Sequence, residues 1–165
     1  MTRTDKRKKL MRGWLWCCVL GVAAAIFLFS AQDGTVSSQT SNSIAKIIIA
    51  VIDPDFEALP AIKQEGIFAF VGKLVRKGAH FTEFAALGFC IRLLVGSYGL
   101  RWPTRTSWLA GTLYAGTDEL HQLFVASRAC MWQDVLLDSC GVLAGITAAY
   151  ASLVLLGRFM AWRSQ

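Results

Sequence analysis

The sequence TDELHQLFVASRACMWQDVLLD, at residues 117–138, concentrates polar side chains in a chain that is elsewhere strongly apolar. Four of its residues are carboxylates, and they are accompanied by a histidine, a glutamine and an arginine: Asp118, Glu119, Asp134, Asp138, His121, Gln122 and Arg128. A charge inside a bilayer is costly, so such a group faces a partner or a water-filled cavity. We therefore interpret this stretch as two helix ends and the turn between them, at one end of a membrane helix bundle.

The composition of the whole chain indicates a membrane protein. Hydrophobic residues make up 55% and charged residues only 17% of the sequence, which departs from the average of soluble domains. The net charge is +6, but residues 1–12 alone carry six basic residues and one acidic residue. A basic segment directly before an apolar run is a topology and lipid-headgroup signal. Because no stripe of basic and aromatic residues follows, nucleic acid is excluded as a partner.

Four apolar segments are predicted to span the bilayer: residues 14–31, 78–96, 108–126 and 135–157. At about 1.5 Å per residue, a helix of roughly 18 residues nearly crosses a hydrocarbon core of about 30 Å. The first segment also has the basic flank of a signal peptide, and Phe-Ser-Ala before Gln32 loosely resembles a cleavage site. A retained helix is favoured because the segment is long and begins with aromatic residues.

The region between the first two spans is predicted to contain a loop, a short apolar segment and an amphipathic helix. Residues 32–43 are rich in Ser, Thr, Gly and Asn, which predicts a loop. Residues 44–52 are apolar but too few to span. Residues 62–76 interleave apolar and charged positions, as an amphipathic helix on a membrane surface or on neighbouring helices does. The expected fold is an all-α membrane protein: a four-transmembrane-helix bundle with an extracytoplasmic amphipathic helical segment between the first and second spans.

The distribution of Lys and Arg among the loops predicts the orientation. Both termini are expected in the cytoplasm of a multi-pass protein of the cell membrane. Residues 1–13 are then a basic cytoplasmic tail, residues 14–157 the transmembrane domain, and residues 158–165 a second cytoplasmic tail.

In this orientation, polar residues of three spans lie at the same depth, toward the outer face. The second span contributes residues of its first two turns, the third its outer end, and the fourth its start. At about 100° per residue, Asp134 and Asp138 share a helix face with Gly141 and Gly145, which favours close packing of that face inside the bundle. The spacing of His80 and Glu83 suits a hydrogen bond between them. The predicted binding residues are Lys77, His80, Glu83, Asp118, Glu119, Gln122, Arg128, Asp134 and Asp138.

The same residues carry a resemblance to a known family. The segments KGAHFTEF at 77–84 and DELHQLF at 118–124, with Arg128, Asp134 and Gly141, resemble the VanZ-like family across residues 14–157. The exit from the first span, Phe29-Ser30-Ala-Gln32, is similar as well. The resemblance implies a small multi-pass membrane protein, and the family's namesake is associated with low-level teicoplanin resistance. This chain has Phe84, Asp138 and Ala126-Ser127 where the family usually has Tyr, Asn and Pro-Gly.

Several functions remain open for the polar residues. They could form a structural ion-pair network, a proton or ion pathway, or an enzyme site acting on a lipid headgroup. Acid–base candidates for the enzyme are His80, Glu83, Asp118 and Glu119. A divalent metal held by His80, Glu83 and Glu119 is a further option for the enzyme, although no HExxH, GxSxG or CxxC pattern supports a metal site or a nucleophile, and any cofactor is unknown. The function we predict is binding of an anionic lipid or cell-envelope precursor headgroup, with Lys77 and Arg128 holding a phosphate.

Overall fold

The computed structural model describes residues 2–128 and 130–163, with only the backbone for the last two of these. The described residues form five α-helices and one 3₁₀ turn at Phe56–Ala58, and they contain no strand. The helices are α1 (Arg3–Ser30), α2 (Gly34–Ile52), α3 (Ala61–Ser97), α4 (Pro103–Gln122) and α5 (Trp132–Arg163). The all-α prediction is confirmed.

Among the described residues, three helices are long and apolar enough to cross a membrane. They are α1, α3 and the part of α5 up to Ala161, which include three of the four predicted spans. Within the described residues α4 does not qualify; it has 20 residues and carries Asp118 and Glu119 near its C-terminal end. Of the predicted terminal tails, residues 3–13 begin α1 and residues 158–163 continue α5, whereas residues 1, 164 and 165 lie outside the described residues.

Helix α2 occupies most of the segment that was predicted to be a loop, so that prediction is wrong. Asp33 caps the helix, because its Oδ1 accepts a 2.8 Å hydrogen bond from the Thr35 amide. The polar side chains of the first half bond back to the helix: each hydroxyl donates to the carbonyl four residues earlier, at Ser38, Thr40, Ser41 and Ser43. Serine and threonine in this arrangement are compatible with a helix, although their composition is typical of loops.

Helix α3 is one continuous helix of 37 residues, about 55 Å long at the usual rise per residue. The sequence predicted two elements here, an amphipathic segment and a separate span, but Gly78 lies within the helix and does not interrupt it. Helix α2 packs on the N-terminal half of α3, where Gly72 leaves room for the side chain of Asn42.

The most extensive helix contact joins α3 to α5. A Cβ atom at Gly145 would collide with the backbone of Ala85, and one at Gly141 with the backbone of Phe81. The prediction that this glycine face points into the bundle is confirmed. Because later residues of α5 meet later residues of α3, the two helices run in the same direction. The core beside them consists of Ile26, Phe84, Leu87, Ile91, Ala115, Val142 and Ile146.

Candidate functional site

The C-terminal ends of α1 and α4 are joined by a buried hydrogen-bond network. Oγ of Ser30 donates to Oδ2 of Asp118 at 2.7 Å, and Nε2 of Gln122 donates to the same oxygen at 3.0 Å. All three side chains are buried. The other oxygen of Asp118 has no hydrogen-bond partner among the described residues. This network fastens α4 to α1 beneath the loop that follows α4.

Arg128 anchors the loop between α4 and α5. Its Nη1 donates to Oε1 of Gln122 at 3.4 Å, its Nη2 to the Phe29 carbonyl at 3.2 Å, and its Nε to the Gln32 carbonyl at 3.3 Å. These bonds use three of the five N–H donors of the guanidinium. Burial and the nearby positive charge of Arg76 lower the pKa of Arg128 from its ordinary value. Arg128 therefore has a structural role, and only its remaining donors are free to meet a ligand.

The same loop contains a backbone conformation that favours glycine. Ser127 has a φ of 58°, in the left-handed region that L residues rarely adopt outside turns. The loop is fixed there by α2, since the amide of Gly34 donates to the Ala126 carbonyl at 3.1 Å. A Cβ atom at Gly34 would overlap the backbone of Ser127, so the two segments are in direct contact.

A cleft of about 400 Å³ opens between α3 and the loop that leads into α5. We call it the α3–α5 cleft. It is lined by four basic side chains, three carboxylates, a histidine and an amide, together with a few less polar residues. The polar lining consists of Lys73, Arg76, Lys77, Arg128, Glu119, Asp134, Asp138, His80 and Gln122.

The basic side of the cleft is one face of α3. Lys73, Arg76, Lys77 and His80 are spaced by three or four residues, so they lie above one another on the helix. Lys77 forms a salt bridge with Asp134 of α5. Lys73 and Arg76, by contrast, make no side-chain hydrogen bond or ion pair within the described part of the chain. The cleft therefore contains positive charge that the described protein does not neutralise.

The opposite side of the cleft carries the carboxylates. Oε2 of Glu119 accepts a 3.0 Å hydrogen bond from the Met131 amide, and Asp134 is paired with Lys77. Asp138 is only 1% exposed, and neither of its carboxylate oxygens has a hydrogen-bond partner among the described residues. Nδ1 of His80 is likewise buried without a partner there. Buried polar groups are normally hydrogen-bonded, so these are the atoms of the cleft wall that the described residues leave unsatisfied.

Most of the binding residues predicted from the sequence line this cleft. Asp118 lies outside its lining, in the network with Ser30, and Glu83 is not part of the lining either. No hydrogen bond joins His80 to Glu83 among the described residues. Sequence reasoning missed Lys73 and Arg76. Their spacing from His80 could have revealed them, had residues 61–97 been recognised as one helix.

The enzyme alternative concerns metal or acid–base chemistry at this site. Within residues 2–128 and 130–163, no group of three or more His, Cys, Asp or Glu side chains could hold a metal ion. Of the four acid–base candidates, Asp118 and Glu119 are hydrogen-bonded to separate protein partners. The enzyme alternative remains a prediction from the sequence.

Apolar helices long enough to span a bilayer, packed around a polar cleft, define a small helical membrane protein. The VanZ/LLP1 family model matches residues 15–156, and the chain belongs to this family. The resemblance noted in the sequence is thereby confirmed. Nothing among the curated proteins matches this chain, and nothing among the solved structures does.

Proposed function

We propose that this protein binds an anionic lipid or cell-envelope precursor headgroup in the α3–α5 cleft. The observation that carries the proposal is the pair of basic side chains, Lys73 and Arg76, that line the cleft without a partner among the described residues. A phosphate suits both, since arginine binds it with two parallel hydrogen bonds and lysine attracts it as a point charge. A purely structural network would account for Ser30, Asp118 and Arg128, but not for two unpaired cations beside a cavity.

The proposal includes a membrane arrangement. We place α1, α3, α4 and α5 across the bilayer, with both termini in the cytoplasm and the cleft at the outer leaflet. Helix α2 and the N-terminal half of α3 then form the extracytoplasmic segment. The opposite end of the bundle supports this arrangement, because Arg12 donates to the Ser97 carbonyl at 2.7 Å and the nearby turn carries Arg101 and Arg105. Together with the basic segment at residues 1–12, this end carries more Lys and Arg than the cleft end, and such an excess marks the cytoplasmic side.

The headgroup proposal is tested with the double variant Lys73→Gln/Arg76→Gln in lipid nanodiscs. Wild-type protein should retain phosphatidylglycerol in native mass spectrometry, and the variant should retain it at least about tenfold more weakly. Lys63→Gln is the matched control, because Lys63 is exposed on the same helix and does not line the cleft. Added salt should weaken binding by the wild-type protein. Equal retention by wild type and the double variant would refute the proposal.

We extend the proposal to glycopeptide susceptibility, as the family resemblance implies. Cells that express the wild-type protein should differ in their teicoplanin susceptibility from cells that express Lys73→Gln/Arg76→Gln at equal abundance. Lys63→Gln should behave as the wild type. If the double variant and the wild type give the same susceptibility, the cleft has no part in such a phenotype.

A further inference from the structure

Asp138 is the least satisfied charged group on the wall of the α3–α5 cleft. It is 1% exposed, it lines the cleft, and both of its oxygens lack a hydrogen-bond partner within the described residues. A buried carboxylate without a partner is strongly unfavourable. Lys77, on the α3 side of the cleft, already forms a salt bridge with Asp134 and does not pair with Asp138. An ionised Asp138 is therefore stable at this position only when something supplies a hydrogen-bond donor or a positive charge to it.

The unpaired basic side chains and the unpaired carboxyl group of Asp138 lie at different heights in the cleft. Lys77 and Asp134 pair across it, and α3 and α5 run in the same direction. Asp138 lies one turn beyond Asp134, about 6 Å along α5, and Lys73 lies one turn before Lys77, about 6 Å in the opposite direction. Arg76 directly precedes Lys77 in α3, so it lies between the level of Lys73 and the level of Asp138. A ligand that spans the cleft meets the unpaired side chains of Lys73 and Arg76 first and the unpaired carboxyl group of Asp138 further in.

We infer that the bound headgroup is zwitterionic, with a phosphate at Lys73 and Arg76 and a primary ammonium, as in phosphoethanolamine, at Asp138. The inference rests on the phosphate site of the proposed function, and it replaces a purely anionic headgroup there by one that also carries an amine. An ammonium brings three N–H donors and a positive charge, which satisfies both oxygens of Asp138. A simple anion, such as the headgroup of phosphatidylglycerol, neutralises the cations but leaves the carboxylate without a countercharge.

The test compares three lipids with identical acyl chains, bound to the full-length protein and resolved by native mass spectrometry. Phosphatidylethanolamine should bind about tenfold more tightly than phosphatidylglycerol. Phosphatidylcholine, whose ammonium has no N–H donor, should bind more weakly than phosphatidylethanolamine. This comparison uses the unmodified protein, so it does not depend on the folding of any variant. Equal binding of phosphatidylethanolamine and phosphatidylglycerol would overturn the inference.

Asp138→Asn tests the assigned residue, because it removes the charge and keeps the shape. The preference for phosphatidylethanolamine over phosphatidylglycerol should fall to about twofold or less. Asp55→Asn, the same change at an exposed position outside the cleft, should keep the wild-type preference. A preference retained in Asp138→Asn would contradict the role of Asp138. If Lys73→Gln/Arg76→Gln loses both lipids while the wild type shows no preference, this inference fails and the proposed function stands.

Free phosphoethanolamine distinguishes the two sources of such a headgroup. Displacement of bound phosphatidylethanolamine by the soluble compound would identify the headgroup alone as a sufficient ligand. A preference for phosphatidylethanolamine that withstands this competition would identify the intact lipid as the ligand.

Discussion

The Ser30 hydroxyl donates a 2.7 Å hydrogen bond to Asp118, which lies 88 residues further along the chain. Ser30 is the last residue of α1 and is fully buried, and Asp118 is 3% exposed in α4. Two helices that are distant in sequence are thus joined by this contact, together with the 2.7 Å hydrogen bond from the Tyr114 hydroxyl to the Ala23 carbonyl. Because the second oxygen of Asp118 has no partner among the described residues, loss of this contact leaves the carboxylate with Gln122 alone.

Replacement of Ser30 by alanine should lower the free energy of unfolding by about 1–3 kcal/mol, since a buried charged acceptor loses one of its donors. Thermal or denaturant unfolding in detergent would measure the change. Ser107→Ala is the control: Ser107 is also fully buried, but its hydroxyl donates to the Pro103 carbonyl of its own helix. Equal destabilisation by the two substitutions would show that the contact with Asp118 has no special weight.

Gly145→Ala should destabilise the protein by about 1–3 kcal/mol, because the added methyl group forces α3 and α5 apart at Ala85. The measurement is the unfolding midpoint of the purified variant. Gly157→Ala, in the same helix, places its methyl group where no other atom lies within 4 Å. That control should be neutral or slightly stabilising, since alanine is the better helix former. A tolerated Gly145→Ala would mean that the two helices are not in backbone contact.

Ser127→Gly should stabilise the loop by up to about 1 kcal/mol, because glycine adopts a positive φ without the steric cost that an L side chain incurs. Ser127→Val should have the opposite effect, with a cost of about 1–2 kcal/mol. Ala126→Gly serves as the comparison, since Ala126 does not have a positive φ, and glycine there should destabilise. Unfolding curves of the three variants would show whether each substitution raises or lowers the free energy of unfolding. Destabilisation by Ser127→Gly would exclude a left-handed conformation at this position.

The proposed membrane arrangement predicts which positions an external reagent reaches. In a background without the native cysteines, Phe124→Cys and Glu57→Cys should react with an impermeant maleimide added to intact cells. Arg101→Cys should react only after the membrane is opened, because we place that turn in the cytoplasm. All three positions are exposed in the structure. Labelling of Arg101→Cys in intact cells would reverse the arrangement, and lack of labelling at position 57 would place the α2–α3 turn inside the membrane or the cell.

The sequence predicted the helices best where periodicity and hydropathy agree. The core-facing glycines of α5 and the polar residues of α4 could be assigned because a helix brings positions three and four residues apart onto one face. Helix α2 was missed because serine and threonine are typical of loops, and only their hydrogen bonds to carbonyls four residues earlier make them compatible with a helix. Composition contains no information about those bonds.

The cleft was only partly predictable for a related reason. Lys77, His80 and Asp134 could be assigned from depth in the membrane and helix rotation, both of which follow from sequence position. The structural role of Arg128 could not be assigned, because its acceptors are the backbone carbonyls of Phe29 and Gln32. Backbone carbonyls occur at every residue, so a sequence cannot show which of them a loop arginine will reach. Lys73 and Arg76 were excluded from the site because their segment was treated as separate from the second span.

Because α3 is one continuous helix, it connects the part of the protein that contacts α2 to the part that contacts α5. From Phe81 onward α3 is fixed to α5 by backbone contacts at glycines, whereas its first half is held by α2. No proline interrupts it after Pro60, so tilting of the Ala61 end is transmitted along the helix to Lys73, about 18 Å away. Asp134 and Asp138 lie on α5, and Glu119 lies on α4, so these three carboxyl groups are not part of the helix that tilts. The distance between Lys73 and the carboxyl groups of Asp134 and Asp138 on α5 therefore depends on how α2 holds the first half of α3.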